Sequence, residues 1–473
     1  MTDTLTKTNV AERDDAINHA TRYLDEGGFE RDLARLVAIP TESQTPEGLP
    51  HCERYLAEEM RPLLEGLGFS CETFDNPLPG CGPVLLATRH EADDLPTVLG
   101  YGHGDVIRGL EGRWTKGDGP WRLAREGDRL YGRGTADNKS QHLMNIEAMR
   151  AVLDTRGALG FNAKVMIETG EENGSKGLRE VMSANRDAFM ADVFIASDGP
   201  RVRPDRPTVS LGCRGAVNFE LACELREGAR HSGNWGGGLA DPAVILAHAI
   251  ATIVSPTGKI LVPEWRPTEI RPEIRALLAD VELDSGGGPS HDPDWGEPGL
   301  SPAENIYAWN SFAVLAMTSG VPESPINAIS GRANAHAQLR FVAGTDVDGI
   351  LPALRRHLDD HGFQKVEVRD PPSGNAAGFA ASRTEPDHPW ALFVRTSFER
   401  THGKPPAVVP QTGGSICNDL FTDLLGIPAI WLPHSYSGCS QHAPDEHVLL
   451  PTCRSALGMM AGLYWDIGAG GTP

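Results

Sequence analysis

No stretch of this 473-residue chain approaches the roughly 20 consecutive apolar residues that a membrane-spanning helix requires. The N-terminal run MTDTLTKTNVAERDD lacks the apolar core of a secretory signal, so the expected location is the cytoplasm. Positive charge is scarce as well: 43 Lys and Arg face 64 Asp and Glu, giving a formal net charge of −21. That balance argues against nucleic-acid and anionic-membrane partners, which bind basic surfaces, and leaves room for a cation site. The eight cysteines include no CxxC pair, so neither a disulfide framework nor a thiolate zinc site is indicated. Internal repeats and low-complexity tracts are missing too.

What is present is a globular composition, 40% hydrophobic and 23% charged, long enough for more than one domain at roughly 100–200 residues each. Residues 14–67 read as helices around the loop IPTESQTPEG. Short apolar runs follow: PVLLAT (83–88), TVLGYG (97–102), AKVMIE (163–168) and ADVFIA (191–196), with helical stretches at 140–153 and 176–188 between them. Buried strands alternating with helices predict an α/β domain with a mostly parallel sheet flanked by helices.

From about Gly212 the texture changes. AVNFELACEL alternates like a half-exposed strand, DPAVILAHAIATIV is a helix with an Asp-Pro start, and 283–299 reads as a long loop. AWNSFAVLAMTSG, NAHAQLRFVAG, a helix near 347–361 and QKVEVRD then continue the pattern, which predicts an inserted α+β unit of one sheet and two helices. The Pro- and Gly-rich stretch 370–389 reads as the crossing back, before a helix at 390–402 and the strand PAIWLP (428–433). The expected division is 1–211 and 376–473 for the first domain and 212–375 for the insertion.

Polar residues gather just after the predicted strands: His103 and Asp105, Glu171 and Glu172, Asp198, and farther on His442. In open α/β sheets ligands bind beyond the carboxyl ends of strands, so these side chains can converge. Each has a plain alternative as a turn former, a solvated acid or a loop histidine. Asp137, in the turn YGRGTADNK, is either the N-cap of the helix from Ser140 or a rigidly held ligand. Taken jointly, His and carboxylate at several strand ends are what a catalytic zinc site uses. The carboxylates of Asp137, Glu172 and Asp198, with one hydroxide, balance two divalent cations and avoid burying net charge.

The segments HGD (103–105), YGRGTADNK (131–139), ETGEENGSKGL (168–178), SDGP (197–200), RHSGNWGG (230–237) and QHAPDE (441–446) together resemble, in order, the motifs of one metallohydrolase family. It is the dinuclear zinc family of carnosinases, aminoacylases, acetylornithine deacetylase and succinyl-diaminopimelate desuccinylase. The resemblance implies a zinc-exopeptidase-like catalytic domain and an inserted lid that also forms a homodimer. It implies two Zn2+ per subunit, with Co2+ or Mn2+ as substitutes. His103 and Asp198 would hold one ion, Glu172 and His442 the other, and Asp137 both, with a cis peptide bond to Asn138.

By the same resemblance Asp105 orients His103, Glu171 is the general base, and His231 reaches the partner subunit's site to stabilise an oxyanion. Arg340 would hold the substrate's carboxylate, Asn327 would lie near the substrate, and Gly413, Gly414 and Ser415 would line the pocket. Cys417 and Asn418 stand where relatives often show Pro, and Cys439 precedes His442 by three positions; Cys439 is either a soft ligand or a small packing residue. These departures are expected in the substrate pocket. The implied reaction is hydrolysis of an amide bond in a small carboxylate-bearing substrate, a dipeptide or alternatively an N-acyl or N-carbamoyl amino acid. A catalytically silent binding protein is the non-enzymatic alternative.

Overall fold

The apolar runs of the first 211 residues become the middle of one eight-stranded sheet. The computed structural model describes residues 2–284, 290–371 and 380–473, with side chains described from residue 12 onward. Across that sheet the strands lie in the order Ser70–Phe74, Val84–Arg89, Asn162–Glu168, Thr97–His103, Val193–Ala196, Ala429–Trp431, Thr208–Ser210, Ala407–Val409. The four central strands, from Asn162–Glu168 to Ala429–Trp431, are mutually parallel. Antiparallel pairings flank them on both sides.

Alternation along these strands feeds two cores. Val98, Val165, Ile167, Val193 and Ile195 point to one face, where the helices Lys139–Arg156, Pro389–His402 and Leu450–Gly468 pack. Leu99, Tyr101, Met166, Phe194 and Ala196 point to the other, against Leu178–Ala184 and the turn Leu420–Leu425. Burial on both faces explains why these strands read as nearly unbroken apolar runs. The predicted helix 176–188 is two helices, Leu178–Ala184 and Arg186–Phe189, broken at Asn185. No described helix is long and apolar enough to cross a membrane.

A second, antiparallel sheet has the order Ser311–Ser319, Arg332–Phe341, Gly215–Glu224, Glu367–Arg369. The helices Pro242–Ile253 and Ile350–Asp360 cover one face and share a core with Phe219, Leu221, Ala335, Ala337 and Leu339. Asp241 caps the first of these helices, accepting from the Ala243 amide at 2.9 Å, as an Asp-Pro start requires. The Gly215–Glu224 strand was expected half-exposed; it is buried along nearly its whole length, because it runs between two neighbours in the sheet. Where the chain leaves and re-enters the larger unit, Gly212–Cys213 pairs antiparallel with Ser382–Arg383. A Cβ at Gly212 would stand 2.0 Å from the Ser382 carbonyl, so only glycine permits this approach. Parts of the predicted loop 283–299 and crossing 370–389, residues 285–289 and 372–379, lie outside the described residues.

Candidate metal centre and active site

His103 ends the strand Thr97–His103, Glu171 and Glu172 sit in a short turn after Asn162–Glu168, and Asp198 follows Val193–Ala196 by two residues. Because these strands are parallel, their carboxyl ends share one edge of the sheet. Asp137 arrives from the turn that starts the helix Lys139–Arg156. It does not cap that helix: the N-cap position is Asn138, whose side chain instead donates to the Ser197 carbonyl at 2.8 Å. Gly134 in this turn has φ 85°, a left-handed conformation that suits glycine. The Asp137–Asn138 peptide bond is cis.

Two donor groups result, each with ligand atoms within 4.8 Å of one another: His103, Asp137 and Asp198, and Asp137, Glu172 and His442. Asp137 belongs to both. Its Oδ1 lies 2.9 Å from His103 Nε2 and its Oδ2 3.0 Å from His442 Nε2, while His442 Nε2 is 3.1 Å from Glu172 Oε2. Among the described residues, only these two imidazoles pair with Asp137, Glu172 and Asp198, so three crowded carboxylates and the adjacent Glu171 lack a matching number of cations.

The electrostatics record that shortage. Burial, then the neighbouring Asp137, pushes the Glu172 and Asp198 carboxyls up to about 7 and about 6, and burial drives Glu171 well above the usual carboxylate range. Hydrogen bonds donated by its ring to the Asp137 and Glu172 carboxylates raise His442 to about 11. For His103, burial favours the neutral ring, but the contacts with Asp105 and Asp137 outweigh it and hold the ring well above its ordinary value. Burial likewise opposes ionisation of Asp137, and the two imidazoles prevail and keep it low. Hard and borderline oxygen and nitrogen donors with excess negative charge are a donor set for divalent cations.

Asp105 is fully buried and binds the site together. Its Oδ1 is 3.4 Å from His103 Nδ1, and its two oxygens accept from the amides of Glu171 at 3.2 Å and Glu172 at 3.1 Å. Ser43 donates to the same carboxylate at 2.6 Å.

A cavity of about 550 Å3 opens over the cluster, lined by Asp137, Glu171, Asp198 and His442 and also by Arg340, Gly413, Gly414 and Ser415. Arg340 Nη1 donates to Ser415 Oγ at 3.1 Å. His231 and Asn327 do not line it. They form a separate exposed pair: Arg230–His231 pairs with Ala328–Ile329, and the Ser232 amide donates to the Asn327 carbonyl at 2.9 Å. Cys417, Asn418 and Cys439, expected in the pocket, are behind its walls. Cys439 is buried in the main core, which pushes its thiol up to about 12 and suits packing over metal binding. Asn418 is spent on structure, donating to Ser382 Oγ and accepting from Trp431 Nε1.

Residues 99–466 match the family described as Peptidase family M20/M25/M40. The chain belongs to this family. It is a metallohydrolase acting on peptide amide bonds, with the α/β fold and lid of the M20 peptidases. This M20 chain is 26% identical over 400 residues to the cysteinylglycine-S-conjugate dipeptidase of Corynebacterium striatum, covering 82% of this chain and 83% of the relative. It is 32% identical over 444 residues to the Beta-Ala-His dipeptidase of Homo sapiens, covering 89% and 82%. The solved structure of the dipeptidase Dug1p from Saccharomyces cerevisiae superposes with a TM-score of 0.77 at 20% identity, over 96% of this chain and 99% of that one.

Two residues of the QHAPDE segment besides His442 act on Asp137, and the sequence reading gave neither a role. Gln441 Nε2 donates to Asp137 Oδ2 at 2.5 Å. Glu446, almost wholly buried, accepts from the amides of Ala136 at 2.8 Å and Asp137 at 3.1 Å through Oε1, and from Arg133 at 2.6 Å through Oε2. Their presence in a quoted motif was the available signal; Ser43, on a loop 62 positions before Asp105, offered none. Glu446→Gln places an amide nitrogen against Arg133 or against the turn's own amides. The expected result is a 10–100-fold loss of metal affinity, the usual scale for an outer hydrogen bond, read by competition with a chromophoric chelator. Unchanged affinity would reduce Glu446 to a packing role.

Proposed function

We propose that this chain is a dinuclear zinc dipeptidase. The observation that carries the reading is the pair of donor groups sharing Asp137 at the floor of the cavity. His103 and Asp198 would hold one ion, Glu172 and His442 the other, and Asp137 would serve both. Ions bound there supply Lewis acidity, polarising a carbonyl and making water more acidic. Glu171 takes a proton from the attacking water on its carboxylate and delivers it to the amine nitrogen that leaves as the C–N bond breaks. Asp105 keeps His103 and the Glu171 backbone in place. Arg340 receives the substrate's free carboxylate with its forked donors, over the 413–415 turn. The dipeptidase names of the relatives support the substrate class.

The chain acts as a homodimer through the 212–375 insertion, set into a catalytic unit of 1–211 and 376–473. Support comes from Ser311–Ser319, an edge strand whose Val314, Leu315 and Met317 are 41%, 58% and 44% exposed. An open sheet edge with apolar side chains is a surface for a second copy. In the dimer His231 serves the partner's site. A cytoplasmic location fits eight free cysteines, and the acidic balance argues against nucleic-acid and anionic-membrane partners.

Metal-loaded protein assayed against dipeptides, N-acetyl amino acids and N-carbamoyl amino acids is expected to release free amino acids from the dipeptides fastest. Chelation should abolish the activity and zinc should restore it. Faster cleavage of an acyl or carbamoyl series would move the chain to a deacylase, and no cleavage of any series by zinc- or cobalt-loaded protein would make it a binding protein.

A further inference from the structure

Beyond the metal cluster and Arg340 the cavity continues into a chamber walled by Val202, Leu283, Ile306, Tyr307 and Val409. The hydroxyls of Thr208 and Ser210 at this end are engaged within the protein. Thr208 Oγ1 accepts from the Val202 amide at 3.1 Å and sits 3.4 Å from the Arg206 carbonyl, and Ser210 Oγ donates to the Gly212 carbonyl at 3.0 Å. Asp284 and His291, which also line the cavity, are exposed.

The wall is built, not incidental. Ile306 and Tyr307 end the helix Pro302–Tyr307, which carries a full capping box: Glu304 N donates to Ser301 Oγ at 3.2 Å and Ser301 N to Glu304 Oε2 at 2.7 Å. Arg275 holds Glu304 at 3.1 Å, and Val202, Val409 and Tyr307 join a core with Ile274, Leu278 and Trp309. Its position relative to Arg340 is also fixed. A Cβ at Gly413 would stand 3.2 Å from Ile306 Cγ2 and 4.0 Å from Tyr307 Cε1, whereas Arg340 rests on Ser415 of the same turn, and Gly414 between them faces open space.

We infer that this chamber takes the side chain of the substrate's carboxyl-terminal residue and selects large uncharged ones. The inference rests on the dipeptidase reading and on Arg340 holding the terminal carboxylate. With the carboxylate over the 413–415 turn, the side chain on the same Cα is delivered toward Ile306 and Tyr307. Apolar contact there removes water from both surfaces, and a charged side chain set against Val202, Leu283, Ile306 and Val409 would lose hydration.

The test uses metal-loaded wild-type enzyme with Gly-Gly, Gly-Leu, Gly-Phe, Leu-Gly and Phe-Gly. The kcat/KM values of Gly-Leu and Gly-Phe should exceed that of Gly-Gly by about 10-fold or more, the discrimination an apolar pocket achieves. Comparable rates for all five, or an advantage carried by Leu-Gly and Phe-Gly, would overturn the inference while leaving a dipeptidase. Cleavage of none of the five would remove the dipeptidase reading and this inference with it. Ile306→Ala should shrink the Gly-Leu to Gly-Gly ratio by about 5-fold, mainly through KM for Gly-Leu. A folded variant, checked by thermal melting, that keeps the full ratio counts against the chamber, and Ile306→Val gives a milder shift in the same direction if the alanine is unstable.

Discussion

Glu171→Gln should lower kcat by about 10²–10⁴-fold while the metal content of the protein stays at its wild-type level. Glutamine matches glutamate in shape, and the backbone at this position is held independently, its amide donating to Asp105 at 3.2 Å. What the amide cannot do is take up a proton and give it back. A loss confined to the chemical step appears as equal falls in kcat and kcat/KM with little change in KM. Metal analysis by mass spectrometry alongside steady-state kinetics separates this from damage to the donor groups. Activity within 10-fold of wild type would take the base role away from Glu171, and loss of metal together with activity would make it a ligand.

Asp137→Asn should do the opposite: empty the protein of metal and of activity at once. Asp137 is the member common to both donor groups, so its loss removes one anionic donor from each. An amide oxygen is a weaker, neutral donor, and the NH2 would face His103 or His442, both within 3.0 Å of the present carboxylate. The loss of affinity should exceed the 10–100-fold cost of an outer hydrogen bond. His442→Ala is the informative comparison, because it leaves the group of His103, Asp137 and Asp198 intact. The metal-to-protein ratio should fall to about half in that variant and toward zero in Asp137→Asn. Full retention of metal by Asp137→Asn would mean that the cations are not bound through a shared carboxylate.

The central strands were legible in the sequence because burial on both faces forces unbroken apolar runs, as in ADVFIA and AKVMIE. The strand Arg332–Phe341 was legible for the opposite reason: Ala335, Ala337, Leu339 and Phe341 are buried, while Asn334 and Gln338 on the other face donate to Glu220 and Asn218. The helix Leu450–Gly468 escaped the sequence reading. It is buried nearly all round, including Gly458 and Gly462, so it has no polar stripe to mark a helical period. Strands of three residues, such as Thr208–Ser210 and Ala407–Val409, are too short to carry an alternation. At the site, the residues that sit beyond strand ends were found by position, and those that act on Asp137 from the side, Gln441 and Glu446, were not. Gln441 bonds the Asp137 side chain and Glu446 the backbone of its turn, and beyond their place in the QHAPDE segment neither contact leaves a mark in composition or spacing.

The pairing of Gly212–Cys213 with Ser382–Arg383 makes the larger unit continuous in space although its chain is interrupted. The outgoing and returning backbones stand in the register of a β-hairpin, so that the insertion occupies the place where a tight turn would otherwise close the two strands. The part of the chain that carries His103, Asp137 and Asp198 can therefore be joined to the segment that carries His442 without the intervening residues bridging any distance.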